Sequence, residues 1–210
     1  MIIFLHKQQK WSSKGDFFMK EETLDRRVRK TRRLLRQCLT TLLKEKRVQD
    51  ITVREIAEMA DINRGTFYLH YKDVYDLMEQ IENELMSELE DVLNHYSVQD
   101  LMVKPSLIFL ELYPMVKRNS DIISILMGAN GDLSFVSRLQ SILRERFLRH
   151  WLDLKFSEDP DSLGAYSSFM ITGCIGIVQY WLDSGMRESP EHMAELTESF
   201  ILKGIRVLEK

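Results

Sequence analysis

Between Met19 and Lys104 the chain contains no proline and a single glycine, Gly65. A stretch without the two residues that most often interrupt helices commits itself to helices joined by short turns. From Leu24 to about Lys46, apolar residues fall at Val28, Leu34, Leu35, Cys38, Leu39, Leu42 and Leu43, the spacing of one helix face. Arg47 to Asp50 reads as a short connection. Thr52-Val-Arg-Glu55 has the form of a capping box, in which hydroxyl and carboxylate each satisfy a free amide of the first turn. Ile56, Ala57, Met59 and Ala60 then give a short apolar face, and Asp61-Ile62 reads as a turn. Asn63 is placed to cap a second short helix, Arg64 to about His70. Lys72-Asp73 ends it, and Asp73 caps a long helix that runs to about Tyr96.

The remainder also reads as helices. One spans Pro105 to Lys117, interrupted or kinked at Pro114; another spans Ser120 to Met127; a long one runs from Asp132 to Phe156. Pro160 to Ser184 follows, ending at Gly185, and Ser189-Pro190-Glu191 opens the last helix with proline at its first position. No strand alternation and no repeat is visible. The expected fold is all-α, with about nine helices.

Ser162 to Leu182 holds 21 residues without a charge, long enough to cross a bilayer. Five polar residues lie in it, and its flanks are acidic (Asp159, Asp161, Asp183) rather than basic. A helix apolar all round is otherwise buried in a core or at a subunit interface. Gly173 and Gly176 permit close helix approach there.

The net charge of −3 argues against nucleic acid, but it is unevenly distributed. Residues 1–19 carry +2, residues 20–72 carry +6 and residues 73–210 carry −11. A basic segment before an acidic one suggests two modules with different partners. Arg26, Arg27, Arg29, Lys30, Arg32, Arg33 and Arg36 put seven basic residues in eleven with no acid among them, more than a solvated face needs. Two cysteines far apart, Cys38 and Cys174, exclude a disulfide scaffold and a cysteine-based zinc module. Five scattered histidines show no metal-ligand spacing, and no nucleophile elbow, phosphate loop or paired catalytic carboxylates occur. Neither an enzyme nor a cofactor is expected.

Two readings of residues 1–18 stand open. In one, Met19 is the initiator and the segment is a mis-annotated extension; in the other, the segment is a disordered arm. Met1 to Leu5 is too short for the apolar core of a signal peptide.

Two short helices joined by a tight turn between longer ones form a helix-turn-helix arrangement, whose second helix enters the major groove. Thr52, Arg54, Arg64, Thr66, Tyr68, His70, Tyr71 and Lys72 offer donors within 21 residues, while Ile56, Ala57, Ile62 and Phe67 supply packing. Tyr71 reads as packing inward, His70 as facing DNA. Gly65, costly inside a helix, leaves room for a phosphate or base to approach.

Thr52-Val-Arg-Glu-Ile-Ala-Glu-Met-Ala60 followed by Asn63-Arg-Gly-Thr-Phe-Tyr-Leu-His-Tyr71 resembles the DNA-binding domain of the TetR family of bacterial transcription regulators. The likeness spans about residues 24–78. Family members commonly have Gly where Asp61 stands, and a phosphate-binding Lys where Val74 stands; Lys72 or Tyr75 is left to take that role. Gln179-Tyr-Trp-Leu-Asp-Ser-Gly185, with Ser189-Pro-Glu after it, is similar to a subgroup common in Firmicutes, some of which regulate dihydroxyacetone kinase genes.

The resemblance implies a DNA-binding domain over 19–75 and a helical regulatory and dimerisation domain over 76–210. It implies a cytoplasmic homodimer on double-stranded operator DNA, a repressor controlled by an effector. The alternative is a co-regulator or activator whose second domain binds a protein instead. The DNA-binding residues are then Arg29, Lys30, Arg33, Thr52, Arg54, Arg64, Gly65, Thr66, Tyr68, His70, Tyr71 and Lys72. Arg64 and Thr66 read sequence; Thr52, Tyr68 and Lys72 hold position. The last two helices pair with their mates, with Phe169, Gly173, Gly176, Ile177, Tyr180, Trp181 and Phe200 at the interface. Phe109, Tyr113, Met115, Met127, Phe135, Phe147, Trp151, Phe169 and Trp181 line a ligand pocket or simply fill the core.

Overall fold

The computed structural model describes residues 13–97, 100, 104–128, 133–153 and 160–203. All regular structure among them is helical. The first helix, α1 (Ser13–Leu43), is followed by a single 3-10 turn (Val48–Asp50), then α2 (Val53–Met59), α3 (Arg64–Tyr68) and α4 (Val74–Asn94). The later helices are α5 (Ser106–Arg118), α6 (Ser120–Met127), α7 (Leu133–Asp153), α8 (Pro160–Asp183) and α9 (Pro190–Lys203).

Two boundaries differ from expectation. Helix α1 begins at Ser13, so residues 13–18 are helical rather than a disordered arm, while residues 1–12 lie outside the described residues. Helix α5 continues through Pro114 without interruption. The chain divides into two compact units, with the boundary between Leu77 and Met78.

In the first unit, α1 packs on α2 and α2 on α3. Leu35, Leu39, Ile56, Phe67 and Leu77 are fully enclosed, with Cys38, Leu42, Ala57 and Ala60 around them. Met59, expected on the apolar face, is instead about half exposed. The turn after α2 closes as a Schellman motif: Ile62 N–H donates to the Ala57 carbonyl at 3.0 Å and Asp61 N–H to the Glu58 carbonyl at 3.2 Å. That motif requires a left-handed residue, and Asp61 supplies it at φ 50°. Aspartate tolerates this region better than most side chains, so it stands in for the usual glycine.

In the second unit, α5 lies along α9, and α8 contacts α6, α7 and α9. Tyr113 of α5 and Trp181 of α8 meet edge to face with ring centroids 5.2 Å apart. The Thr197 hydroxyl donates to the Met193 carbonyl at 2.7 Å, so the Tyr113 hydroxyl, 2.6 Å away, is the donor in their contact. Burial pushes the Tyr113 hydroxyl up to about 12 and the Cys174 thiol up to about 11, so neither ionises near neutrality. A second tie between α5 and α9 is the Ser106 N–H, which donates to the Glu198 carboxylate at 2.8 Å. Helix α8 ends in another Schellman motif, with Gly185 at φ 77°.

Trp181 corrects the expected dimer surface. Its side chain is 0% exposed, and its indole N–H donates to the Glu188 carbonyl at 3.0 Å. It belongs to the protomer's own core, because it lies on the side of α8 that faces Tyr113. Phe109, Tyr113, Met115 and Phe135 are also buried and Met127 is half-buried. The side chains of Phe147 and Trp151 lie outside the described residues. Among the described residues, no helix is long and apolar enough to cross a membrane.

Candidate nucleic-acid interface

The candidate interface centres on two capped short helices. Thr52 accepts from Glu55 N–H at 3.3 Å, and the Glu55 carboxylate accepts from Thr52 N–H at 2.9 Å, completing the capping box of α2. The Thr52 hydroxyl also donates to that carboxylate at 2.8 Å, and Lys46 Nζ lies 2.5 Å from its other oxygen. The Lys46 ammonium, then the Thr52 amide and hydroxyl, hold Glu55 down at about 2. The hydrogen that Thr52 was expected to offer outward is therefore already given to Glu55. Thr52 acts by fixing the start of α2.

Asn63 caps α3 by accepting from Gly65 N–H at 2.8 Å. Asp73 caps α4 in the same way, accepting from Asp76 N–H at 2.8 Å, while Asp76 accepts from Lys72 N–H at 2.7 Å. The start of α3 and the start of α4 are thus each held by a side-chain cap.

With those caps in place, Arg64, Gly65, Tyr68 and Lys72 are exposed, while Thr66 and His70 are half-buried. Arg29, Lys30 and Arg33 of α1 are exposed, as is Arg54 of α2, which lies 3.7 Å from Glu58. Tyr71, read as packing inward but also counted among the DNA-binding residues, is corrected only in the second respect: its ring is buried beside Phe67, with centroids 5.8 Å apart. Val74, at the position of the family's lysine, is also buried.

Arg32 joins this surface although nothing local in the sequence ties it to α3. Its guanidinium lies 5.8 Å from the centroid of the Tyr71 ring, a cation–π arrangement. His70 adjoins Tyr71, and its imidazole is held below the ordinary histidine range by burial and then by the charge of Arg32. The free protein therefore carries His70 neutral at pH 7.

An alanine-like Cβ at Gly65 would meet only the Asn63 side-chain oxygen, at an ordinary 3.5 Å. The fold itself has room for a side chain there. What glycine leaves open at this point is access from outside.

On α8 a second exposed face stands apart from the core. Phe169 is 75% exposed and Tyr180 is largely exposed, with Gly173 and Gly176 between them. Nothing lies within 4 Å of a Cβ built on either glycine. Ile177 and Phe200 are half-buried. Among the described residues, no group of histidine, cysteine and carboxylate side chains is placed to hold a metal.

Residues 104–203 match a TetR-type family model described as a transcriptional regulator C-terminal region. This match, with the relatives that follow, supports a TetR-family transcriptional regulator. A relative in sequence is the uncharacterized HTH-type transcriptional regulator YxbF of Bacillus subtilis, 25% identical over 165 residues. That match covers 77% of this chain and 42% of the relative, so the chain spans less than half the length of that protein. Two solved structures share the TetR-family fold. One is a TetR transcriptional regulator from Streptococcus agalactiae, with TM-score 0.59 and 19% identity, covering 86% of this chain and 98% of the other. The other is the regulator FadR from Bacillus subtilis in complex with stearoyl-CoA, with TM-score 0.56 and 16% identity, covering 82% and 98%.

Proposed function

We propose that this chain is a sequence-specific regulator that binds double-stranded operator DNA as a homodimer in the bacterial cytoplasm. An effector bound by the acidic second unit controls its affinity. The observation that carries the reading is the α3 capped by Asn63, which with the turn after it exposes Arg64, Tyr68 and Lys72, while Arg32 of α1 lies over Tyr71 of the same turn. Arg64 stands at the first position of α3, where a recognition helix meets base edges, and a guanidinium pairs two-pronged with guanine. Arg29, Lys30, Arg33 and Lys72 suit phosphate. No constellation for covalent or acid–base chemistry was found in the sequence, so the role proposed is non-catalytic.

The exposed face of α8 supports dimerisation. Phe169 and Tyr180 flank two glycines over open space, a surface a second α8 can approach closely. Two such subunits present two α3 helices to one duplex. An effector then acts by favouring one arrangement of the two heads through its differential affinity. The acyl-CoA named for the FadR complex supports a small molecule over a protein in that role.

The test is a mobility shift on the DNA upstream of the protein's own gene, repeated over a range of salt. Each phosphate contact contributes about one unit to the log–log salt slope, so Arg29→Ala, which removes one contact from each subunit of the dimer, should flatten it by ~2. Absence of any shifted band at low salt overturns the reading.

A further inference from the structure

Leu69 is 82% exposed, more than any other large apolar side chain among the described residues. A single exposed leucine carries no meaning by itself, but the position of this one does. Leu69 caps α3 with helical φ −71° and ψ −18°, so the helix geometry holds there. It stands two positions after Phe67 and two before Tyr71, both buried. At about 100° per residue, the two rings face one side of the helix and Leu69 faces the other. It stands one turn beyond Gly65, to whose carbonyl its N–H donates at 3.2 Å.

Its surroundings are polar and cationic. Arg64 and Lys72 are exposed on the same short segment, with Tyr68 and His70 on either side. An anionic duplex drawn to those charges meets the leucine at the crest of the helix that enters the groove. An alkyl side chain has no donor for a phosphate or a base edge. Among the groups that base edges display in the major groove, the 5-methyl of thymine is the apolar one that suits it.

We infer that Leu69 is a specificity-determining residue that packs on a thymine 5-methyl group in each half-site, the access left by Gly65 allowing the close approach. The inference rests on the DNA-binding reading above.

The experiment uses the full chain and its best selected duplex. Each thymine of one half-site is replaced in turn by uracil, which removes the methyl and leaves every hydrogen-bonding group in place. Burial of one methyl is worth about a fourfold change in affinity. The expected result is one position at which uracil weakens the native protein about fourfold while leaving Leu69→Ala unaffected. Equal losses for both proteins, or no loss at any thymine, overturn the inference. Failure of the native protein to bind any duplex overturns the DNA-binding reading instead. Leu69 is solvent-exposed, so the alanine variant should melt like the native protein, which separates lost contact from lost fold.

Discussion

The guanidinium of Arg32 lies 5.8 Å from the centroid of the Tyr71 ring and ties α1 to the end of α3. The contact serves two ends. It positions a cation beside the segment that follows α3, and its charge adds to burial in depressing the neighbouring His70.

Removing that cation should therefore raise the His70 titration midpoint. In Arg32→Ala, the His70 ring protons followed by NMR should titrate at higher pH than in the native protein. The sign for stability follows from the lowered value: neutral His70 favours the fold, and this contribution is lost as pH falls from the ordinary histidine value, about 6.5, through the folded one. An unchanged midpoint would place the origin of the shift in burial alone.

The capping box of α2 gives a second pH signature. Glu55 titrates at about 2 in the folded chain, below the ordinary carboxylate range, so its contribution is present above that range and disappears as pH falls through about 2. Thr52→Ala removes the side-chain cap and should cost about 1 kcal/mol in denaturant unfolding at neutral pH. The same variant should lose less further stability on acidification than the native protein. Parallel acid profiles for the two would contradict the assigned geometry.

Gly65→Ala should separate stability from function. The fold has space for the methyl, and alanine is better than glycine inside a helix by up to about 1 kcal/mol. Thermal unfolding should shift upward while DNA affinity falls. A variant that is more stable and binds as tightly as the native chain would show that nothing approaches closely at Gly65.

The caps were legible because their rules are local. Thr52 with Glu55, Asn63 before Arg64, and Pro190 after Ser189 are each decided within four residues, and the helices start where those residues stand. The basic surface of α1 was legible as a run of charge. What sequence could not supply was direction around a helix that is apolar on every side. Between Ser162 and Leu182, hydropathy does not distinguish Trp181, locked against Tyr113, from Phe169 and Tyr180, which face outward. The partner that decides it is on another helix. Arg32 over Tyr71 is the same case. Leu69 was accessible in principle, since its angle to Phe67 and Tyr71 follows from helix period alone, but only once both rings were known to be buried.

The outward face of α8 makes an oligomer prediction. Gly176→Asp places a carboxylate in the proposed interface with no partner. Sedimentation should find a dimer for the native chain and monomers or aggregate for the variant. An undisturbed dimer would put the interface elsewhere.

The most direct measurement is selection of binding sites from random DNA with the native chain and with Arg64→Ala. The native chain should enrich inverted repeats whose half-sites are about one helical turn apart, ~34–36 Å, or separated by a longer fixed spacing. Arg64→Ala should lose preference at one base pair per half-site, at about 1–3 kcal/mol of discrimination, and keep the rest of the pattern. An asymmetric single site, or no enrichment over the starting pool, would contradict both the dimer and the reading of sequence by α3.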